Sequence, residues 1–160
     1  MSNFLQVIRD IGLLIARLGL GGILILHGWT RWQGPGQGVH KQVEYVTQFG
    51  VPYPTVVAWG GIILELVGGL LLVVGALTPI VALVLLVEQI LIICYTNWYK
   101  GPDLLKPDGT YAGGFEYNVA LGLLALLFMV FGAGRIAIDQ LFRRRKPVPE
   151  EADDDVVKVP

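Results

Sequence analysis

Four long runs of apolar residues divide the chain, and the polar residues are concentrated between them and at the C-terminus. The runs lie at about 11–30, 55–77, 79–98 and 117–137. Each is close to the roughly 20 residues that an α-helix needs to cross a bilayer. They lack the alternation of apolar and polar residues that the strands of a membrane barrel show. The pattern therefore predicts an all-α integral membrane four-helix bundle formed by residues 1–142.

The segments between the runs predict three smaller features. Val39, Val43 and Val46 recur at helical spacing among polar residues, which predicts a short interfacial helix in the first outer loop. The second and third runs are separated only near Pro79, so they should form an antiparallel hairpin with the proline at a helix start. A Pro-Asp-Gly sequence at 107–109 predicts a turn in the second outer loop.

The composition supports a membrane protein. Hydrophobic residues make up 54% of the chain and charged residues only 16%, whereas soluble domains carry about a quarter charged residues. The net charge of −1 indicates no particular partner, so we expect the lipid bilayer and neighbouring membrane subunits rather than nucleic acid. The first run contains Arg17 and lacks a cleavage site, which favours an uncleaved anchor over a signal peptide.

Charged and aromatic residues at the ends of the runs predict the orientation. A basic block follows the last run and consists of Arg143, Arg144, Arg145 and Lys146. Basic residues of membrane proteins concentrate on the cytoplasmic side. The tryptophans fall at the opposite ends of the runs, as an interfacial aromatic belt would: Trp29, Trp32, Trp59 and Trp98. Both termini should therefore be cytoplasmic in the plasma membrane. The basic and then acidic tail at 143–160 should be flexible and disordered.

Four ionisable residues lie inside the predicted spans: Arg17, His27, Glu65 and Glu88. A charge at mid-depth costs at least about 2.5–3.5 kcal/mol on insertion scales, so these side chains should face the bundle interior and satisfy one another. The rise of about 1.5 Å per residue places Glu65 and Glu88 near mid-depth, Arg17 nearer the inside and His27 nearer the outside. We expect an Arg17–Glu88–Glu65 cluster with His27 above it.

Three uses of this polar network remain open. It could hold the helices in register through charge-assisted hydrogen bonds. It could be a proton site or hold a quinone headgroup, because paired carboxylates in a low dielectric have coupled pKa values. It could also line a transport path, although the short spans show no repeat. The histidines, His27 and His40, form no metal-ligand pattern, and the lone Cys94 is expected to be a small core residue.

The order and spacing of several motifs resemble the DoxX family of small four-helix membrane proteins. In the first span Arg17, Gly22, His27 and Gly28 match the family pattern, with Arg31 at the position of its lysine. The other motifs are "FGVP" at 49–52, "ELVGGLLLVVGALTP" at 65–79 and "FEYNVALGLLALLFMVFGAGRIAIDQLF" at 115–142.

The resemblance implies an accessory or assembly subunit of a respiratory or other membrane oxidoreductase complex in an electron-transport chain. Family members of this kind accompany quinol oxidases and thiosulfate:quinone oxidoreductases. The leading hypothesis is therefore a non-catalytic subunit with no cofactor bound directly. The alternatives are a quinone-handling subunit with its site at Arg17, Glu65 and Glu88, or a small transporter.

Overall fold

A computed structural model describes residues 3–36, 38–103, 105–110 and 112–140, and within these ranges the chain is helical with no strands. The all-α fold predicted from the sequence is confirmed. We label the helices α1 (Asn3–Gln33), α2 (Val39–Gln48), α3 (Pro54–Val74), α4 (Thr78–Lys100) and α5 (Glu116–Phe131). The basic block at 143–146 and the whole predicted tail lie outside the described residues.

Helices α1, α3 and α4 are long and apolar enough to cross a membrane. Helix α1 begins at Asn3, well before the predicted start at 11. The apolar run that predicts the span starts later than the helix because Arg9 and Asp10 interrupt the apolar pattern. The Asp10 carboxylate is buried and lies 3.2 Å from Arg9 and 3.5 Å from Arg135, so the helix continues through these charges.

Helix α5 is shorter than the predicted fourth span, because it ends at Phe131 rather than 137. Gly132 and Gly134 both have positive φ angles, of 70° and 77°, and end the helix. The 16 residues of α5 extend only about 24 Å. The segment that follows completes the path along α4, because Asn118 contacts Asn97 at one end and Asp139 contacts Thr78 at the other.

The core lies where α1, α3, α4 and α5 meet. Its buried residues are Leu20, Leu24, Leu72, Val81, Ala82, Leu85, Leu121, Ala125 and Phe128. Helices α1 and α3 approach closely at Gly21 and Gly69, where a Cβ on either residue would lie within 3 Å of the other residue's carbonyl oxygen. Small residues permit this backbone contact in membrane bundles. Cys94 is exposed on the bundle surface, so its predicted core position is wrong.

Two predicted connections are confirmed. The hairpin between α3 and α4 turns through Gly75 (φ 71°) and Leu77 (φ 53°), and Pro79 lies in the first turn of α4. In the longer loop, Lys106 donates its backbone N–H to the Thr110 carbonyl across the Pro-Asp-Gly turn. Helix α2 forms as predicted, with Val46 buried against the bundle.

Candidate functional site

Arg17 does not join the two glutamates, and this part of the predicted cluster is wrong. Arg17 is 2% exposed, and its guanidinium donates from Nη1 to the Ala133 carbonyl at 2.7 Å and from Nη2 to the Ile136 carbonyl at 2.8 Å. Because α5 ends early, these carbonyls have no partner within a helix. Arg17 supplies the missing hydrogen bonds and holds the segment after α5 against α1.

Asp139 completes this arrangement at the α3–α4 turn. Its carboxylate accepts the backbone N–H of Leu77 at 2.7 Å and of Thr78 at 3.0 Å, which caps the start of α4. It also interacts electrostatically with Arg17. Gly75 packs so closely on the guanidinium that a Cβ there would lie 2.5 Å from Nη1. We call Arg17, Gly75, Ala133, Ile136 and Asp139 the Arg17 junction.

Glu65 is paired with Arg31, which lies in the last turn of α1. The distance from Arg31 Nη1 to Glu65 Oε1 is 2.9 Å, and the two side chains are 30% and 4% exposed. The other carboxylate oxygen, Oε2, is buried and has no hydrogen-bond partner among the residues that the structure describes. Glu65 lies in a single π-helical turn of α3, Leu64–Gly68, and such turns occur frequently at functional sites.

Glu88 lies beside this pair, so the predicted proximity of the two glutamates is correct. It interacts electrostatically with Arg31, as Glu65 does, and the two carboxylates interact with each other. Its Oε2 accepts a long hydrogen bond of 3.4 Å from Gln89. Gly61 leaves room for the carboxylate at α3, since a Cβ there would lie 3.2 Å from Oε1. Arg31, Glu65 and Glu88 form what we call the Arg31 cluster.

His27 lies one turn before Arg31 on α1, at the same end of the bundle. Its ring stacks on Tyr117 at 5.7 Å between centroids, and Nε2 lies 3.5 Å from the tyrosine hydroxyl. It also interacts electrostatically with Arg31. The structure therefore places His27 next to Arg31, whereas the sequence predicts it above a cluster whose cation is Arg17.

A chain of amide side chains leads from Glu88 to the end of the bundle. Beyond Gln89, the chain continues through Asn118, which donates to Gln89 Oε1 at 2.8 Å. Asn97 in turn donates to Asn118 Oδ1 at 2.7 Å. Sequence reasoning missed these residues because only ionisable groups were considered. The signal was present, since uncharged polar side chains inside apolar spans commonly bond across helices.

A cavity of about 450 Å³ opens between α3 and α4 beside the Arg31 cluster. Most of its wall is apolar and includes Val57, Val84, Val87 and Leu91, each of which is also exposed on the outer surface of the bundle. Its polar lining residues are Arg31, Gln42, Tyr45, Glu88, Tyr95 and Thr96. The cavity is within the usual size range of small-molecule sites, and we call it the apolar cavity.

The remaining predicted residues take no part in this cluster. All four tryptophans are exposed, and Trp29 packs edge-on against Trp32 while Trp98 stacks on Phe115. Their role as an interfacial belt stays a prediction. Within the described ranges, no group of three or more His, Cys, Asp or Glu side chains is placed to hold a metal ion.

Comparison with known proteins identifies one family. The DoxX family model matches residues 12–98, a range that contains Arg17, His27, Arg31, Glu65 and Glu88. The Escherichia coli K12 protein named inner membrane protein YphA is 26% identical over 134 residues, which are 82% of this chain and 91% of YphA. No solved structure matches the chain.

Proposed function

Because this chain belongs to the DoxX family of membrane proteins, we propose that it is an accessory subunit of a plasma-membrane oxidoreductase complex. Its own contribution to that complex is to hold a quinone headgroup in the apolar cavity. The family resemblance supports the subunit role, and the relative named an inner membrane protein supports the location. The cavity favours the quinone-handling hypothesis over a purely structural subunit.

One observation carries the quinone part of the proposal: two charged groups, Arg31 and Glu88, line a mostly apolar cavity whose wall includes residues exposed on the outer surface of the bundle. A quinone combines the same two features, because its head carries two polar carbonyl oxygens and its isoprenoid tail is apolar. The Arg31 guanidinium can donate to a carbonyl oxygen, and Glu88 can accept a hydrogen bond from a reduced head. When bound, the quinone would supply the electron-carrying chemistry, and the chain would bind and orient it.

A binding measurement tests the quinone part. The purified protein in phosphatidylcholine nanodiscs is titrated with a short-chain benzoquinone, and quenching of tryptophan fluorescence is recorded. We expect saturable quenching that Glu88→Gln weakens about tenfold, the effect of losing one charge-assisted hydrogen bond. Glu44→Gln is the matched control, because Glu44 is exposed on α2 and does not line the cavity. Linear quenching that is equal in both variants would contradict the proposal.

The subunit role has a separate test. The protein is purified from its native membranes in a mild detergent, and the proteins and haem groups that accompany it are identified. Comigration with an oxidoreductase subunit is expected. If the protein migrates alone while retaining the quinone titration, the accessory role is wrong and the binding site stands.

The orientation proposed from the sequence, with both termini cytoplasmic, is tested by thiol labelling. In a Cys94→Ser background, single cysteines are introduced by Gln37→Cys, Asp108→Cys and Glu151→Cys. A membrane-impermeant reagent on intact cells should label the first two and not the third. The opposite result would invert the orientation, and labelling at only one of the first two would contradict the four-span count.

A further inference from the structure

A second cavity, of about 570 Å³, shares Arg31, Gln42 and Tyr45 with the apolar cavity. Its walls come from the end of α1, the polar face of α2, the end of α4 and the loop that leads into α5. We propose that this polar cavity binds a small water-soluble oxyanion, such as a phosphate or a short dicarboxylate. The proposal does not depend on a quinone occupying the apolar cavity.

The charge of the polar cavity is the first argument. Arg31, Lys41 and Lys100 line it, and no aspartate or glutamate does so within the described ranges. Arg31 is neutralised in part by Glu65. In the part of the chain that the structure describes, neither lysine forms an ion pair. Two positive charges therefore face this space without an opposite charge, and an anion would supply it.

The position of the Lys100 ammonium is defined by contacts that the anion would not need to break. The Lys100 ammonium donates to the Tyr45 hydroxyl at 3.0 Å and to Asn97 Oδ1 at 3.3 Å, both of which are neutral acceptors. It also lies 5.4 Å from the centre of the Tyr45 ring. An ammonium has three donors, so one remains for a ligand. Lys100 is thus oriented before any anion arrives, which lowers the entropy cost of binding.

The loop that closes the cavity is held by its backbone. Gly114 donates to the Asp103 carbonyl at 3.1 Å and Phe115 donates to the Gly101 carbonyl at 3.2 Å. A Cβ on Gly114 would collide with the Asp103 and Pro102 carbonyls, so the close approach of the two loop segments requires glycine. The wall formed by Gly113 and Gly114 is therefore a fixed surface with no side chain to fill the space.

The lining also distinguishes a water-soluble anion from a lipid headgroup. Apart from glycines, the residues that line the polar cavity carry polar side chains, and no aliphatic side chain is among those described. A phospholipid would need aliphatic side chains beside the charges for its acyl chains, and such side chains line the apolar cavity instead. Three residues, Arg31, Gln42 and Tyr45, line both cavities.

The test is anion binding to the full chain in phosphatidylcholine nanodiscs. The protein is titrated calorimetrically with inorganic phosphate and, separately, with succinate, against sodium chloride at matched ionic strength. We expect saturable binding that Lys41→Gln and Lys100→Gln each weaken about tenfold. Lys106→Gln is the control, because Lys106 is an exposed lysine in the same region that does not line the cavity. Lys41→Gln remains informative if Lys100→Gln fails to fold.

Three results would overturn the proposal. One is the absence of saturable heat with either anion. Another is equal weakening by Lys106→Gln, or equal heats with chloride, which would indicate general screening. The third would come from nanodiscs that contain phosphatidylglycerol: stabilisation that depends on Lys41 and Lys100, with no response to phosphate or succinate, would make the cavity a lipid-headgroup site. A quinone titration that fails while phosphate still binds would reject only the proposed function.

Discussion

Helix α1 carries two arginines that face the bundle, and the chain uses them in different ways. Arg17 is 2% exposed and donates to two backbone carbonyls in the Arg17 junction. Arg31 is 30% exposed, pairs with a carboxylate and lines two cavities. The hydrogen-bond acceptors of Arg17 are uncharged backbone carbonyls. The ion-pair partner of Arg31 is a carboxylate, which can exchange a proton.

This difference separates a structural arginine from one suited to binding. A guanidinium enclosed by carbonyls and packed on Gly75 has no space for a ligand. A guanidinium between Glu65 and two cavities has both space and unused donors. Burial alone would have selected Arg17 as the functional residue. The paired Glu65 carboxylate and the two adjoining cavities indicate that Arg31 is the functional residue instead.

The largest effect should come from removing Arg17. Arg17→Leu leaves the carbonyls of Ala133 and Ile136 buried without donors, which should lower the free energy of unfolding by about 3 kcal/mol. Arg17→Lys, which can satisfy only one of these carbonyls well, should cost about half as much. Unfolding by denaturing detergent, followed by helical circular dichroism, measures both. A loss below about 0.5 kcal/mol for Arg17→Leu, the range of ordinary surface substitutions, would mean that the junction does not stabilise the bundle.

A smaller loss is expected at Asp139. Asp139→Ala removes the acceptor for the backbone N–H groups of Leu77 and Thr78 and should lower stability by about 1–2 kcal/mol, as the loss of a helix cap does. Asp108→Ala is the control, because the hydrogen bonds that Asp108 makes to described residues lie within an exposed turn. If both variants unfold alike, the capping role of Asp139 is wrong.

The smallest stability change should accompany a substitution at Arg31 that keeps its charge. Arg31→Lys preserves the attraction to Glu65 and should change stability by less than about 1 kcal/mol. It removes the planar donor pair, so quinone and phosphate should each bind about tenfold more weakly. The fluorescence and calorimetric titrations described above measure these losses. Unchanged binding of both ligands would place Arg31 with Arg17 as a structural residue.

Local patterns were enough to predict the helices, the short α2 and the proximity of Glu65 to Glu88. Both glutamates lie near the middle of apolar runs on consecutive antiparallel helices, so depth alone brings them together. The partners of Arg17 could not be predicted in this way. They are carbonyls exposed by an early helix end, more than a hundred residues away in sequence.

Arg31 was missed for a related reason. The apolar run ends near 30, which places Arg31 in the predicted outer loop. In the structure α1 continues to Gln33, and the Arg31 side chain pairs with Glu65. Its position at the lysine of the family pattern was the available signal. A helix can extend beyond its apolar run when the next charged side chain pairs with a residue on another helix. The sequence around the end of the run does not show that partner.

The central claim is that the two arginines belong to separate networks, and a pair of double-mutant cycles tests it most directly. Gly28 packs on Glu65, while Arg17 lies eleven residues away on α1, about 16 Å along the axis. Arg31→Leu and Glu65→Leu together should therefore cost less than the sum of the single losses by about 1–3 kcal/mol of unfolding free energy. Arg17→Leu and Glu65→Leu should add to within about 0.5 kcal/mol. Coupling of Glu65 to Arg17 and additivity with Arg31 would contradict the account.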